Sequence, residues 1–159
     1  MKVRTARASD ARAVGDLYVE LQEHHFELQP DNPRYQVARE RWLEIASAAV
    51  GDSDDEVLVA QDESAVVGFS RLRYEEKPWG LACQVETLVV SSSCRGRGIG
   101  TQLLEASEEA AARRGARGMR VEVVTENDGG RDFYEKRGYR ALAMRYGKPV
   151  EGSGPSLPL

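Results

Sequence analysis

The chain has only two cysteines, Cys83 and Cys94, and they stand in no metal-ligand spacing. That pattern excludes a disulfide framework and a structural metal centre built on thiolates, and the expectation is a reduced setting with no metal. Long apolar runs are also missing: no stretch approaches the roughly 18 residues needed to cross a bilayer. The opening Met1-Lys2-Val3-Arg4-Thr5 lacks the apolar core of a secretory leader. The expected location is cytoplasmic, without a membrane partner. Excess positive charge is the third absence. Lys and Arg number 22 against 26 Asp and Glu, giving a formal charge of -4. A partner held by phosphate neutralisation is therefore not expected, so no nucleic acid. The acidity suits a cationic small molecule such as an amine.

What is present is the ordinary mix of a globular domain, 41% hydrophobic and 30% charged over 159 residues, enough to bury a core without staples. Residues 2–6 read as a short extended opening. Ser9 or Asp10 then caps a helix whose apolar residues Ala13, Val14, Leu17, Tyr18 and Leu21 follow a 3.6-residue period. Pro30 and Pro33 end it in a turn, and a second helix is predicted from Tyr35 to Ala49. Beyond a polar loop, Val57–Ala60 and Ala65–Phe69 form a hairpin, followed by a strand over 82–90. Ile99, Leu103, Ala106 and Ala110 make a helical stripe that Gly115 can terminate. Met119, Val121 and Val123 alternate with Arg120 and Glu122 as in a half-buried strand. A short helix is predicted over 131–137, then an extended segment, Tyr139 to Tyr146. Gly152, Pro155 and Pro158 mark 149–159 as a flexible tail beyond a domain of 1–148. The order of elements indicates a mixed α/β or α+β fold.

The most informative stretch is Arg95-Gly96-Arg97-Gly98-Ile99-Gly100, between a strand and a helix. Glycines let the backbone approach a ligand closely, and the first turn of a helix offers amides and partial positive charge to an anion. Two familiar phosphate motifs fit poorly. A P-loop needs Lys-[Ser/Thr] where Thr101-Gln102 stands, and a Rossmann fingerprint needs Gly or Ala at Thr101.

Arg95-x-x-Gly98-x-Gly100 resembles the acyl-CoA motif of the GNAT superfamily of N-acyltransferases. Asn127-x-x-Gly130-x-x-Phe133-Tyr134, with Gly138-Tyr139 after it, resembles a second block of the same family. The two occur in order, separated by a helix and a strand. The resemblance implies a central mixed, mostly antiparallel sheet of about six or seven strands, splayed at the cofactor site and flanked by about four helices. It also implies acetyl-CoA as cosubstrate and direct transfer to an amine, with no acyl-enzyme.

Residue by residue, it implies that the backbone of Leu88, Val89 and Val90 pairs with the pantetheine arm. Arg95, Gly96, Arg97, Gly98, Ile99, Gly100 and Thr101 would hold the pyrophosphate. Asn127 would bond the cofactor arm, and otherwise forms a turn. Tyr134 stands at the position of the acid that protonates the thiolate, its alternative being a packed aromatic. Glu86 is a base acting on the amine or a solvated strand carboxylate. By period two it shares a face with Leu88. Glu122 is its rival, together with the substrate candidates His24 and His25, of which at most one faces any one site. The acceptor is expected to be a small-molecule amine. A peptide or protein amine, or a non-catalytic CoA-binding sensor or interaction module, are the alternatives. Relatives often finish with two strands where only Tyr139–Tyr146 remains here, so a homodimer in which a partner completes the sheet is a further expectation.

Overall fold

The computed structural model describes residues 1–148, and the expected tail at 149–159 lies outside them. Its elements are β1 (Lys2–Thr5), α1 (Ala11–Leu28), α2 (Arg39–Ala49), β2 (Asp55–Asp62), β3 (Ala65–Lys77), β4 (Gly80–Val90), α3 (Ile99–Arg113), β5 (Gly118–Val121) and α4 (Asp128–Glu135). They fall into two compact units. One comprises Met1–Leu21 with Arg39–Glu122; the other comprises Gln22–Ala38 with the described residues from 123 to 148.

The first unit is a sheet in the order β1-β2-β3-β4-β5, antiparallel except for the parallel β4–β5 pair. One face packs Val57, Val59, Phe69 and Val89 against Val14 and Leu17 of α1 and Ala46 and Ala49 of α2. The other packs Leu58, Leu72, Cys83 and Val85 against Ala110 and Ala111 of α3, and Ala60 and Val67 against Ile99 and Leu103. Alternating apolar residues on β2–β4 and the stripes of the helices produce these two layers of contact. At the start of α1 the Asp10 carboxylate accepts the amide of Arg7 at 2.7 Å and both terminal nitrogens of Arg4, at 2.7 and 3.0 Å. Asp10 is the last residue of a 3-10 turn, Ala8–Asp10, whose N-cap is Arg7, so it anchors the entry to α1 from inside that turn and not as the N-cap expected of Ser9 or Asp10.

At α2 and α4 the helix boundaries differ from the sequence reading for local reasons. Asn32 caps a 3-10 turn at Pro33–Tyr35 by accepting the amide of Arg34 at 3.0 Å, so Tyr35 belongs to that turn and α2 starts four residues later. Asn127 accepts the amide of Gly130 at 2.9 Å, which starts α4 at Asp128 and not at Arg131. The extended segment Tyr139–Tyr146 is not a strand, so the sheet has five strands among the described residues where six or seven were expected. A strand exists only by pairing. Leu142, Met144 and Tyr146 are instead 70%, 71% and 86% exposed.

Candidate active site

Strand β4 carries an extra residue where it matters. Arg71 pairs with Thr87 and the next residue, Leu72, pairs with Val85, so Glu86 is the inserted member of a β-bulge. Packing records the change of parity: Cys83 and Val85 face α3, and so does Leu88, an odd number of residues further on. The period-two argument that put Glu86 on the face of Leu88 therefore fails, because the bulge absorbs one residue between them. Glu86 is exposed, while Thr87 beside it is buried.

The same place is where β4 loses a neighbour. Its parallel pairing with β5 runs from Ala82↔Gly118 to Val85↔Val121 and stops there. From Thr87 to Val90 the strand is paired with β3 on one side only, among the described residues. Leu88 and Val89 thus offer main-chain groups along an open edge, while the Val90 carbonyl accepts Arg95 Nε at 3.3 Å, a surface suited to an extended, amide-bearing ligand arm.

The open edge leads into the glycine turn. A 3-10 turn at Ser92–Cys94 precedes Arg95, then Gly96 and Gly98 both adopt φ of +77°, a region that side-chain-bearing residues rarely enter. A Cβ at either would meet nothing within 4 Å, so the space above the turn is open. Gly98 is the N-cap of α3, and the first hydrogen bond of that helix runs from Gln102 N to Gly98 O at 3.1 Å. The amides of Ile99 and Gly100 precede it, out of reach of the helical ladder. Thr101 sits in this first turn.

Both arginines of the turn are held by carboxylates that the sequence did not single out. Arg97 binds Asp62 at 2.7 Å, and Arg95 lies 3.8 Å from Glu20, which also accepts the amide of Ser92 at 2.6 Å. Each guanidinium stays half exposed. Open space, helix amides and two cations make the turn fit for a diphosphate.

In the second unit Tyr134 is 9% exposed, set edge-on to Phe133 and Tyr139 at 5.1 and 5.4 Å. Among the described residues its hydroxyl has no hydrogen-bond partner, and burial pushes its pKa up to about 12. Such a phenol keeps its proton at neutral pH and has it available to donate. Asn127 spends its Oδ1 on the α4 cap, which leaves Nδ2 as a donor. A Cβ on Gly130 would approach that Nδ2 to 2.6 Å, so glycine here leaves room for the Asn127 amide. His24 is half exposed, with Nδ1 3.9 Å from Glu27. His25 is more deeply set, with its ring 5.1 Å from that of Tyr35. Burial, then the neighbouring His24 and Arg34, lowers its pKa to about 4. Gln22 is a residue the sequence reading passed over: it is buried, and its Oε1 has no partner. Its signal was available, because it continues the buried side of α1 in a polar residue. Among the described residues no group of three or more His, Cys, Asp and Glu could hold a metal ion, and no helix is long and apolar enough to cross a membrane.

These elements together make the α+β GNAT fold. A crystal structure of a mutant BH1408 protein from Bacillus halodurans superposes with a TM-score of 0.79 at 23% identity, over 94% of this chain and 99% of that one. The sequence matches the Acetyltransferase (GNAT) family over residues 15–139, and the chain belongs to that family of acyl-CoA-using N-acetyltransferases. Two Bacillus subtilis proteins are similar to it. The uncharacterized N-acetyltransferase YhfO is 26% identical over 87% of this chain and 89% of its own length. The uncharacterized protein YxbD is 34% identical over 68% of this chain, and the match spans 65% of YxbD.

Proposed function

We propose that the protein transfers an acetyl group from acetyl-CoA to a primary amine of a small molecule, in a ternary complex and without an acyl-enzyme. The observation that carries this reading is the open edge of β4 from Glu86 to Val90, running directly into the glycine cap of α3. Acetyl-CoA supplies the acetyl group as a thioester. On this reading the backbone of Leu88–Val90 pairs with the pantetheine arm. The amides at Ile99, Gly100 and Thr101, with Arg95 and Arg97, bind the diphosphate, and Gly96 and Gly98 keep the approach clear. Asn127 Nδ2 donates to the arm.

The amine must lose a proton and the departing thiolate must gain one. Tyr134, held neutral by its burial, is the donor to sulfur. Glu86, turned outward by the bulge, receives the proton from the amine. We further infer that 1–148 acts as one domain, since the family match runs through both units. A cytoplasmic location and a homodimer complete the reading, the latter supported by the exposed Leu142, Met144 and Tyr146.

The test is thiol release from acetyl-CoA over a panel of amines, with Tyr134→Phe as control. The variant is expected to lose roughly 10²- to 10⁴-fold in kcat with little change in the KM for acetyl-CoA. Full turnover by the variant would remove Tyr134 from its role. Absence of acetyl transfer to any amine would remove the function.

A further inference from the structure

The sheet face that carries Val57, Val59 and Phe69 does not stay apolar to its end. Further along the same strands, by period two, stand Asp55 on β2 and Arg71 and Arg73 on β3. The three side chains converge. Arg71 Nη2 donates to Asp55 Oδ2 at 2.8 Å, and Arg73 donates to both Asp55 oxygens at 3.2 Å, from Nε and Nη2. The Asp55 side chain is fully buried, whereas that of Arg73 is 46% exposed. The cluster also borders β4. Thr87 pairs with Arg71, and Glu86 is the residue inserted before it. Val85 and Leu88 both face α3, so Glu86 and Thr87 together take the one place between them on the opposite face, that of Arg71 and Arg73. Charge records the proximity. The Asp55 hydrogen bond is the chief reason that the Arg73 pKa lies above its ordinary value, and among the carboxylates beyond it Glu86 acts more strongly than Asp52. An exposed carboxylate on β4 thus stands one strand from an exposed guanidinium on β3, with their backbones about 5 Å apart.

We propose that Arg73 binds a carboxylate of the acceptor while Glu86 faces its amine, so that the acceptor is an amino acid and not a plain amine. The inference rests on the acetyltransferase reading above and narrows its substrate class. A guanidinium fork is the side chain best matched to a carboxylate. Arg73 commits its Nε edge to Asp55, and its Nη edge keeps donors for a second carboxylate. Nη1 has no partner among the described residues. Arg71 contributes through charge. Without it Asp55 would neutralise Arg73; with it, two guanidiniums share one carboxylate and a unit of positive charge is left over. Asp52 spends one of its oxygens on the Asp54 amide. A cation beside an anion fits a zwitterion at both ends. A diamine would set its second cation against the guanidinium.

Matched acceptors test this. The protein amino acids are each compared with the amine that lacks their α-carboxylate, in thiol release from acetyl-CoA. Wild type is expected to prefer at least one acid over its amine by about tenfold or more in kcat/KM, through KM. Arg73→Gln is expected to raise the KM of that acid about tenfold and to bring the ratio within about twofold of one. Arg73→Lys should recover only part of the preference, since it restores the charge without the fork. Arg113→Gln removes an exposed guanidinium from the end of α3 and should leave the ratio as in wild type. Equal use of acid and amine by wild type overturns the proposal. So does a preference that survives Arg73→Gln, and a lowered unfolding temperature beside that unchanged ratio would mark the cluster as structural only. Acetylation of plain amines alone would sink the carboxylate subsite and leave the acetyltransferase standing. Saturable calorimetric binding of an amino acid to the CoA complex, lost in Arg73→Gln but followed by no transfer, would keep the subsite and remove the acetyltransferase.

Discussion

Asp10 shows how a single side chain can set the start of a helix. Its carboxylate is nearly buried and takes the fork of Arg4 together with the Arg7 amide. The hydrogen bond from Arg4 is the main reason its pKa lies below the ordinary carboxylate value, with the Arg7 amide and the two positive charges adding to it. Asp10→Ala would remove one partner of a partly exposed guanidinium that keeps Gln61 and the Thr5 carbonyl, and is expected to cost about 1–3 kcal/mol in chemical denaturation. The pH dependence has a definite sign. A carboxylate with a depressed folded pKa stabilises above its unfolded value of about 3.9 and loses that contribution as pH falls through the lower folded value. The gap between wild type and Asp10→Ala should therefore narrow below about pH 4. Asp10 was legible as a residue of the helix entry because capping chemistry is local, but its place inside a 3-10 turn capped by Arg7 was not. The environment of Tyr134 was not: its motif position is readable, but its burial depends on Phe133 and Tyr139 closing around it. Gln22 was passed over although it continues the buried side of α1, because the pattern alone does not say that its oxygen is buried and alone.

Helices and strands were legible where their periodicity runs long, as in α1, α3 and β2–β4, and less so at their ends. The bulge at Glu86 left no trace in composition, since it is fixed by the register with β3. For the same reason the alternation argument across it gave the wrong face. The glycine turn was readable in advance, but its occupation by Asp62 and Glu20 was not, because those carboxylates come from β2 and α1. That occupation makes a prediction at this scale. If Arg97 serves the diphosphate, Asp62 competes for it, and Asp62→Asn should tighten CoA binding about two- to fivefold at low salt, with the gain lost at high ionic strength. Calorimetric titration at two salt concentrations reads it, and an unchanged affinity would place Arg97 outside the contact. Gly98→Val is the opposite experiment. It forces a β-branched residue to φ +77°, costing about 1–2 kcal/mol of stability, and puts bulk where the anion must sit. Calorimetry should show CoA affinity falling well beyond what thermal unfolding loses.

For the chain as a whole, the two facing layers of contact in the first unit followed from pattern alone, and so did the order of elements through α4. The last strand did not, because alternation supplies one face of a strand but no partner for it. Leu142, Met144 and Tyr146 lie bare at alternate positions, and such a segment is a template for pairing with another chain. Light scattering across micromolar concentrations should give twice the monomer mass, and Leu142→Asp with Met144→Asp should return the mass of one chain. A single-chain mass for wild type throughout would remove the homodimer. The extra residue in β4 leaves this chain a separate freedom to change. Without Glu86, Val85 and Leu88 would stand two apart in ordinary alternation, and Thr87 to Val90 would keep their partners on β3 and their faces. Only the local kink would go, and with it the outward turn of this carboxylate. The strand can therefore shed this residue without loss of its packing, which frees the position to serve the site alone.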